Sequence, residues 1–176
     1  MNGLRIQYIS DLHLEFITKT QLKKLINNIV PSAKICILAG DIGYPYQETY
    51  KTFLHAMNNK FEHTFLIHGN HEYYQVKINR GHSMADMVDK TREITESLDN
   101  VHFLHNEHYD LEGHRFIGST LWSRIYDPKY LINDASHIGE FTVCKNNDMY
   151  DENRKYIELT LKQTIEDKMN AIVITH

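Results

Sequence analysis

The strongest constraint on the fold is the short segment Ile35–Ala39, which has five apolar side chains in a row. A run of this length without polar alternation is typical of a strand that is covered on both faces. The preceding segment, Thr20–Val30, repeats apolar residues at i, i+3, i+4 and i+7, which predicts an amphipathic helix. A covered strand that follows a helix is typical of a parallel sheet, because parallel strands need a crossover connection.

The same alternation of strand and helix patterns extends over the N-terminal half of the chain. Further strands are predicted at Leu4–Ile9 and Thr64–Ile67, and further helices from Tyr50 to Phe61 and from Met84 to Leu98. The resulting order βαβαβα predicts an α/β fold with a largely parallel sheet, covering helices and right-handed crossovers.

The pattern changes in the C-terminal half, where short strand patterns follow one another without helices between them. They are Val101–Leu104, Tyr109–Leu111 and Arg115–Leu121, with a tight hairpin turn at Glu112-Gly113. These strands predict an antiparallel portion or a second sheet. The remaining predictions are an irregular region over Trp122–Asp148 with a turn at Asp127-Pro128 and, as an alternative, a short helix, then a helix from Tyr156 to Met169 and a last strand at Ala171–Thr175.

The composition is that of an ordinary globular domain, and it argues against several classes of protein. A length of 176 residues suits one domain, and a net charge of −4 gives no general reason to expect binding to nucleic acid or to a membrane surface. No apolar run is long enough to span a membrane. The two cysteines, Cys36 and Cys144, form no disulfide framework, so a reducing, cytoplasmic location is expected.

Polar side chains follow the predicted strands at their carboxyl ends, where parallel α/β sheets bind ligands. The candidate metal ligands, in chain order, are Asp11, His13, Asp41, Asn70 and His176. Carboxylate, imidazole and amide ligands together suit borderline divalent ions such as Mn²⁺, Fe²⁺ or Zn²⁺. Gly40 and Gly69 allow the chain to turn sharply and to approach a metal or phosphate closely. Asp-x-His and Gly-Asp are weak motifs alone, whereas Gly-Asn-His-Glu after a strand is far more specific.

The motifs SDLH, AGDIG, GNHEYY and ITH, in this order along the whole chain, resemble those of the calcineurin-like metallophosphoesterases. The segments FIGSTLW and IND also look like features of a bacterial-type branch. The resemblance implies a two-layer mixed β-sheet sandwich flanked by helices, with a dinuclear metal centre above the strand ends. It also implies that residues 1–176 form roughly the N-terminal two-thirds of the expected domain.

The resemblance implies a role for each motif residue. Asp11 and His13 would bind the first of two divalent ions, Asp41 would bridge both, and Asn70 and His176 would bind the second. His71 would lie beside the metals, contact phosphate and assist the leaving group. The implied function is hydrolysis of phosphomono- or phosphodiesters by attack of a metal-bound hydroxide. Glu72 would either orient His71 or cap the following segment, and capping is favoured.

Two departures from the family pattern affect these expectations. Tyr73 and Tyr74 stand where the protein Ser/Thr phosphatases of the superfamily carry an arginine, which weakens a protein-phosphatase interpretation. No Gly-His-x-His motif follows His176, so we expect a C-terminally incomplete site with little activity of its own, completed by a missing segment or a partner chain. A non-catalytic metal-binding or interaction module derived from such an enzyme remains the alternative.

Several aromatic residues near the motifs have two interpretations. They are Tyr44, Tyr46, Tyr73, Tyr74 and Trp122. They could wall a pocket for a base or another apolar group. They could also pack loop segments against one another, which is the favoured interpretation.

Overall fold

The computed structural model describes residues 3–76, 78, 80–127, 133–139 and 141–176. The strands are β1 (Ile6–Ile9), β2 (Ile35–Ala39), β3 (His63–Ile67), β4 (Val101–Phe103), β5 (Glu107–Leu111), β6 (His114–Gly118) and β7 (Asn170–Ile174). The helices are α1 (Lys19–Asn28), α2 (Glu48–Lys60), α3 (Met84–Thr95), α4 (Asp134–His137) and α5 (Val143–Glu166). Short 3₁₀ turns lie at Leu14–Phe16 and His71–Tyr73.

The strands form two sheets. The first has the order β1-β2-β3-β4 and is parallel throughout, with α1, α2 and α3 as the connections. The second has the order β5-β6-β7, in which β5 and β6 form an antiparallel hairpin and β7 runs parallel to β6. The predicted α/β class with two sheets flanked by helices is therefore confirmed, although only the second sheet is mixed.

Strand β2 lies at the centre of the packing, because both of its faces are covered. Ile35 and Ile37 face the second sheet and contact the cluster around Phe65 and Phe116. Cys36 and Leu38 face the opposite way, into the larger cluster formed with the helices. Burial raises the pKa of the Cys36 thiol to about 12, so this cysteine is an inert core residue.

The main differences from the sequence prediction are the pairing of β4 and the start of α5, while most other elements differ by a few residues at their ends. Strand β4 was grouped with the helix-free strands, but it extends the parallel sheet, since α3 serves as its crossover from β3. Helix α5 begins at Val143, inside the region predicted to be irregular, where the Thr142 hydroxyl accepts a hydrogen bond from the Lys145 amide. The hydrophobic pattern does not show this first turn, because its buried position is occupied by a polar residue. Asn146 is buried there and its Nδ2 donates to the Ser123 carbonyl. Pro128 of the predicted turn and Ile132 of the IND segment lie outside the described residues.

The aromatic residues near the motifs pack against one another. Tyr44, Tyr73, Tyr74 and Trp122 are buried in one cluster with Met87 and Ile138, and Tyr46 is partly buried beside it. Their rings are therefore core residues of the loop layer, which supports the packing interpretation. Among the described residues, no helix combines the length and apolarity that a membrane crossing requires.

The first prediction concerns stability in acid. His102 lies against Tyr109, with ring centroids 4.2 Å apart, and its Nε2 is 3.2 Å from Nδ1 of His63. Burial, aided by His63, lowers the pKa of His102 to about 4. The unfolded chain binds this proton near pH ~6.5, so the stabilising contribution is present above that pH and is lost as the pH falls toward about 4.

Between pH 7.5 and pH 5, the free energy of unfolding of His102→Gln should therefore fall by less than that of the unsubstituted protein. Urea titrations at both pH values measure it, and His55→Gln on the exposed face of α2 is the control. An equal drop in all three proteins would contradict the assignment.

Candidate metal centre

The loops that follow β1, β2 and β3 meet at one edge of the parallel sheet. The Asp11 amide donates to the Gly40 carbonyl at 3.1 Å, and the His13 amide donates to the Asp41 carbonyl at 3.0 Å. Asp11, His13 and Asp41 have positive φ angles of 55°, 49° and 53°. Such angles cost about 1–3 kcal/mol each in a residue with a side chain, and they persist only where the surroundings impose them.

Two glycines make the close approach of these loops possible. Gly40 has a φ of 85°, and a Cβ at this position would lie 2.6 Å from Nδ1 of His176. A Cβ at Gly69 would collide with the Asp41 carboxylate and with the His176 ring. The predicted role of both glycines therefore has a direct geometric basis, since any side chain would displace two candidate ligands.

Glu72 ties the loops after β2 and β3 together. Its fully buried carboxylate accepts hydrogen bonds from the amides of Ile42 at 2.7 Å, Gly69 at 2.8 Å, Asp41 at 3.2 Å and Gly43 at 3.3 Å. Burial, aided by the charge of Asp41, raises the pKa of Glu72 to about 7. The role is capping, as favoured, and the four amides named here belong to the loop after β2 and to Gly69.

The first group of possible ligands consists of Asp11, Asp41 and His176, whose ligand atoms all lie within 4.8 Å of one another. Asp41 is buried, and its Oδ2 is 3.4 Å from Nε2 of His176. The hydrogen bond that His176 donates to Asp41 raises the pKa of His176 to about 9, although burial opposes this effect. Burial would raise the pKa of Asp41, but hydrogen bonds from His176 and the His71 amide outweigh it and lower that pKa.

The orientation of the His176 ring suits a metal ligand. Its Nδ1 lies 2.8 Å from the Ala39 carbonyl, so that this nitrogen donates and Nε2 faces Asp41. Histidines that bind metals commonly donate their second ring N–H to a carbonyl or carboxylate, which fixes the tautomer and the ring plane.

A second group consists of His13, Glu15 and His71. The side chain of Glu15 is almost fully buried, and its Oε1 lies 3.1 Å from Nδ1 of His13 and 3.2 Å from Nδ1 of His71. Both imidazoles therefore use Nδ1 toward Glu15, and Nε2 remains for another partner. Nε2 of His13 lies 3.9 Å from Oδ2 of Asp41, so Asp41 stands between the two groups.

Glu15 was missed by the sequence reasoning. The only signal was an acidic residue between the apolar Leu14 and Phe16, and that signal is weak. Its contact with His71 joins residues 56 positions apart, so no local pattern could have shown it.

Asn70 lies at the edge of this arrangement. Its Nδ2 donates to Oδ1 of Asp134 at 2.7 Å and to the hydroxyl of Tyr74 at 3.2 Å. The next residue, His71, donates its backbone amide to Oδ1 of Asp41 at 2.9 Å. The structure thus brings Asp11, Asp41 and His176 together and places His13 and His71 around Glu15. The division of ligands between a first and a second metal stays a prediction.

These residues fit a divalent cation. Two carboxylates and an imidazole whose second nitrogen is already hydrogen-bonded form a donor set suited to Mn²⁺, Fe²⁺ or Zn²⁺. A Cβ at Gly40 would collide with His176, and one at Gly69 would collide with Asp41 and His176, so neither position has room for a side chain beside these ligands.

Comparison with known proteins identifies the fold and the family. The sequence model of the calcineurin-like phosphoesterases matches residues 4–173. This chain is a member of the calcineurin-like phosphoesterase family. The resemblance noted in the motifs is thereby confirmed, and membership implies metal-dependent hydrolysis of phosphoesters in general.

One sequence relative and one solved structure show how far the likeness extends. An uncharacterised protein of Acanthamoeba polyphaga mimivirus is 30% identical over 191 aligned residues, which cover 97% of this chain and 66% of that protein. The chain therefore spans slightly less than two-thirds of that relative. The crystal structure of phosphopantetheinyl hydrolase (PptH) from Mycobacterium tuberculosis is similar with a TM-score of 0.68 at 15% identity, over 97% of this chain and 67% of that one. At this identity the similarity shows the fold alone.

The second prediction tests the role of Glu72. Glu72→Gln should lower the free energy of unfolding by about 2–4 kcal/mol. The substitution replaces one carboxylate oxygen with an NH₂ group, which cannot accept the backbone hydrogen bonds that this oxygen accepts. Glu62→Gln is the control, since Glu62 forms only an exposed ion pair with Lys34. Urea unfolding measures the stability of both variants, and equal stabilities would contradict the role of Glu72 in holding the two loops together.

Proposed function

We propose that this phosphoesterase binds two divalent ions at the strand-end site and hydrolyses phosphomono- or phosphodiesters there. The observation that carries the proposal is the convergence of Asp11, Asp41 and His176, whose ligand atoms lie within 4.8 Å of one another. Family membership supports the reaction class, while the number of ions and the substrate belong to the proposal.

Each ligand has a proposed place. Asp11 and His13 would hold the first ion, Asp41 would hold both, and Asn70 and His176 would hold the second. The position of Asp41 supports this division, because its Oδ2 lies 3.9 Å from Nε2 of His13 and 3.4 Å from Nε2 of His176. Two bound divalent ions would lower the pKa of a coordinated water and neutralise charge on the phosphoryl oxygens.

His71 is the proposed acid that passes a proton to the leaving-group oxygen. Glu15 accepts from its Nδ1, so Nε2 is the ring atom that can transfer the proton. Its ring stands edge-on to that of His13, with centroids 4.4 Å apart, and stacks on Tyr74 at 4.3 Å. These contacts hold the imidazole in one orientation beside the proposed ligands.

The third prediction tests the proposed function through its bridging ligand. Asp41→Asn should lose both bound ions and, in a version of the protein extended by a segment that supplies Gly-His-x-His, all metal-dependent hydrolysis of bis-nitrophenyl phosphate, because Asp41 is the proposed ligand that would hold both ions. Asp11→Asn should lose mainly the first ion. Metal content after dialysis against Mn²⁺ and the hydrolysis rate are the measurements, and exposed Asp89→Asn is the control.

The outcomes separate the alternatives. Two ions retained by Asp41→Asn would show that the bridging assignment is wrong. Metal binding without hydrolysis of any phosphate ester, even in the extended protein, would favour the alternative of a non-catalytic metal-binding module.

The fourth prediction concerns His71. In the extended protein, His71→Ala should keep the metal content but lower turnover by about 10²–10⁴ for esters with poor leaving groups, the usual contribution of a positioned acid. The loss should be much smaller for nitrophenyl esters, because nitrophenolate departs without a proton. Loss of metal from His71→Ala would instead identify His71 as a ligand.

A further inference from the structure

Asp134, the last residue of the IND segment, is a buried acid for which the motifs imply no role. It is only 3% exposed, and it begins α4 in a segment far along the chain from the strand-end loops. Its Oδ1 accepts two hydrogen bonds, one from Nδ2 of Asn70 at 2.7 Å and one from the Tyr74 hydroxyl at 2.8 Å. A buried carboxylate is costly unless it is hydrogen-bonded, so its position against Asn70 requires an explanation.

The contact with Asp134 decides which way the Asn70 amide points. An ionised carboxylate only accepts hydrogen bonds, so the amide atom that faces it must be the NH₂ group. The carbonyl oxygen of Asn70 must then point away from Asp134. Without this neighbour the two ends of an amide are nearly equivalent in shape, and the side chain could present NH₂ in place of oxygen.

The segment that carries Asp134 is tied to the segment that carries Asn70. Tyr74 forms a backbone bridge with Ile138, and the Gln75 amide donates to the His137 carbonyl at 2.6 Å. The Tyr74 ring also stacks on that of His137, with centroids 4.9 Å apart. These contacts fix the distance between the carboxylate and the amide, so the orientation of Asn70 depends on tertiary structure and not on its own loop.

We propose that Asp134, supported by Tyr74, is a positioning residue that holds the Asn70 amide with its oxygen presented to the second metal. A metal ion accepts lone pairs from the carbonyl oxygen, whereas a rotated NH₂ group would offer hydrogens and repel it. The inference rests on the proposed function, because it assigns a metal to Asn70. Outer partners of this kind commonly account for 10–100-fold in metal affinity.

The fifth prediction tests this role by metal affinity. Asp134→Asn removes the acceptor-only neighbour, so it should weaken the second Mn²⁺ site by about 10–100-fold in calorimetric titrations and leave the first site unchanged. Tyr74→Phe keeps the ring and removes only the hydroxyl, so the same site should weaken by about 2–10-fold. Asp89→Asn on the exposed face of α3 is the matched control.

A reciprocal pair of substitutions separates positioning from a general loss of structure. In Asn70→Asp combined with Asp134→Asn, the amide and the carboxylate exchange places, and either oxygen of Asp can serve as the ligand. This double variant should recover second-site affinity relative to Asp134→Asn alone. In an Asn70→Ala background, adding Asp134→Asn should cause no further loss, because the residue through which Asp134 acts is gone.

The outcomes are distinct. Wild-type affinity in Asp134→Asn, or the same loss when Asn70 is already Ala, would overturn the positioning role. Near-UV circular dichroism checks folding, and if Asp134→Asn does not fold, Tyr74→Phe decides: unchanged affinity overturns the proposal, and selective weakening of the second site supports it. A wild-type protein that binds no Mn²⁺ would overturn the proposed function itself, and this inference with it.

Discussion

The buried carboxylate of Glu72 is the interaction on which the rest of the site depends. Burial of a charge costs several kcal/mol, and here four backbone amides offset that cost. Because the amides come from the loops after both β2 and β3, one side chain fixes the two loops relative to each other. Asp41 and Asn70 lie on these loops, so their separation is set by a residue that need not touch a metal.

The backbone strain at the site has the same origin. The positive φ angles of Asp11, His13 and Asp41 are imposed by bonds between the loop after β1 and the loop after β2. Parallel register brings the ends of β1 and β2 side by side, and Glu72 then holds the second loop in place. The ligand positions are thus stabilised by sheet register first, by the hydrogen bonds of Glu72 to the two loops second, and by side-chain contacts last.

The sequence predicts most of the fold, because the relevant signals are local. Ile35–Ala39 was predicted with its observed bounds, since an all-apolar run between two helix patterns has few alternatives. The strand-end location of Asp11 and Asp41 follows from the parallel sheet, whereas His176 follows β7 of the second sheet and its assignment rests on the ITH motif. The predicted start of α5 is wrong because a hydroxyl cap and a buried asparagine decide it, and the predicted grouping of β4 is wrong because a crossover decides its pairing. None of these features leaves a clear hydrophobic period.

The two acids whose roles the sequence does not show share one physical property: each acts on another side chain that is distant along the chain. Glu15 contacts His71 across 56 positions, and Asp134 contacts Asn70 across 64. A motif can show which atoms bind a metal, since ligand chemistry restricts the residue type. It cannot show which carboxylate holds an imidazole or an amide in one orientation, because any acid in the right place serves. The ligands of this site are therefore local in sequence, while their orientation is a property of the folded chain.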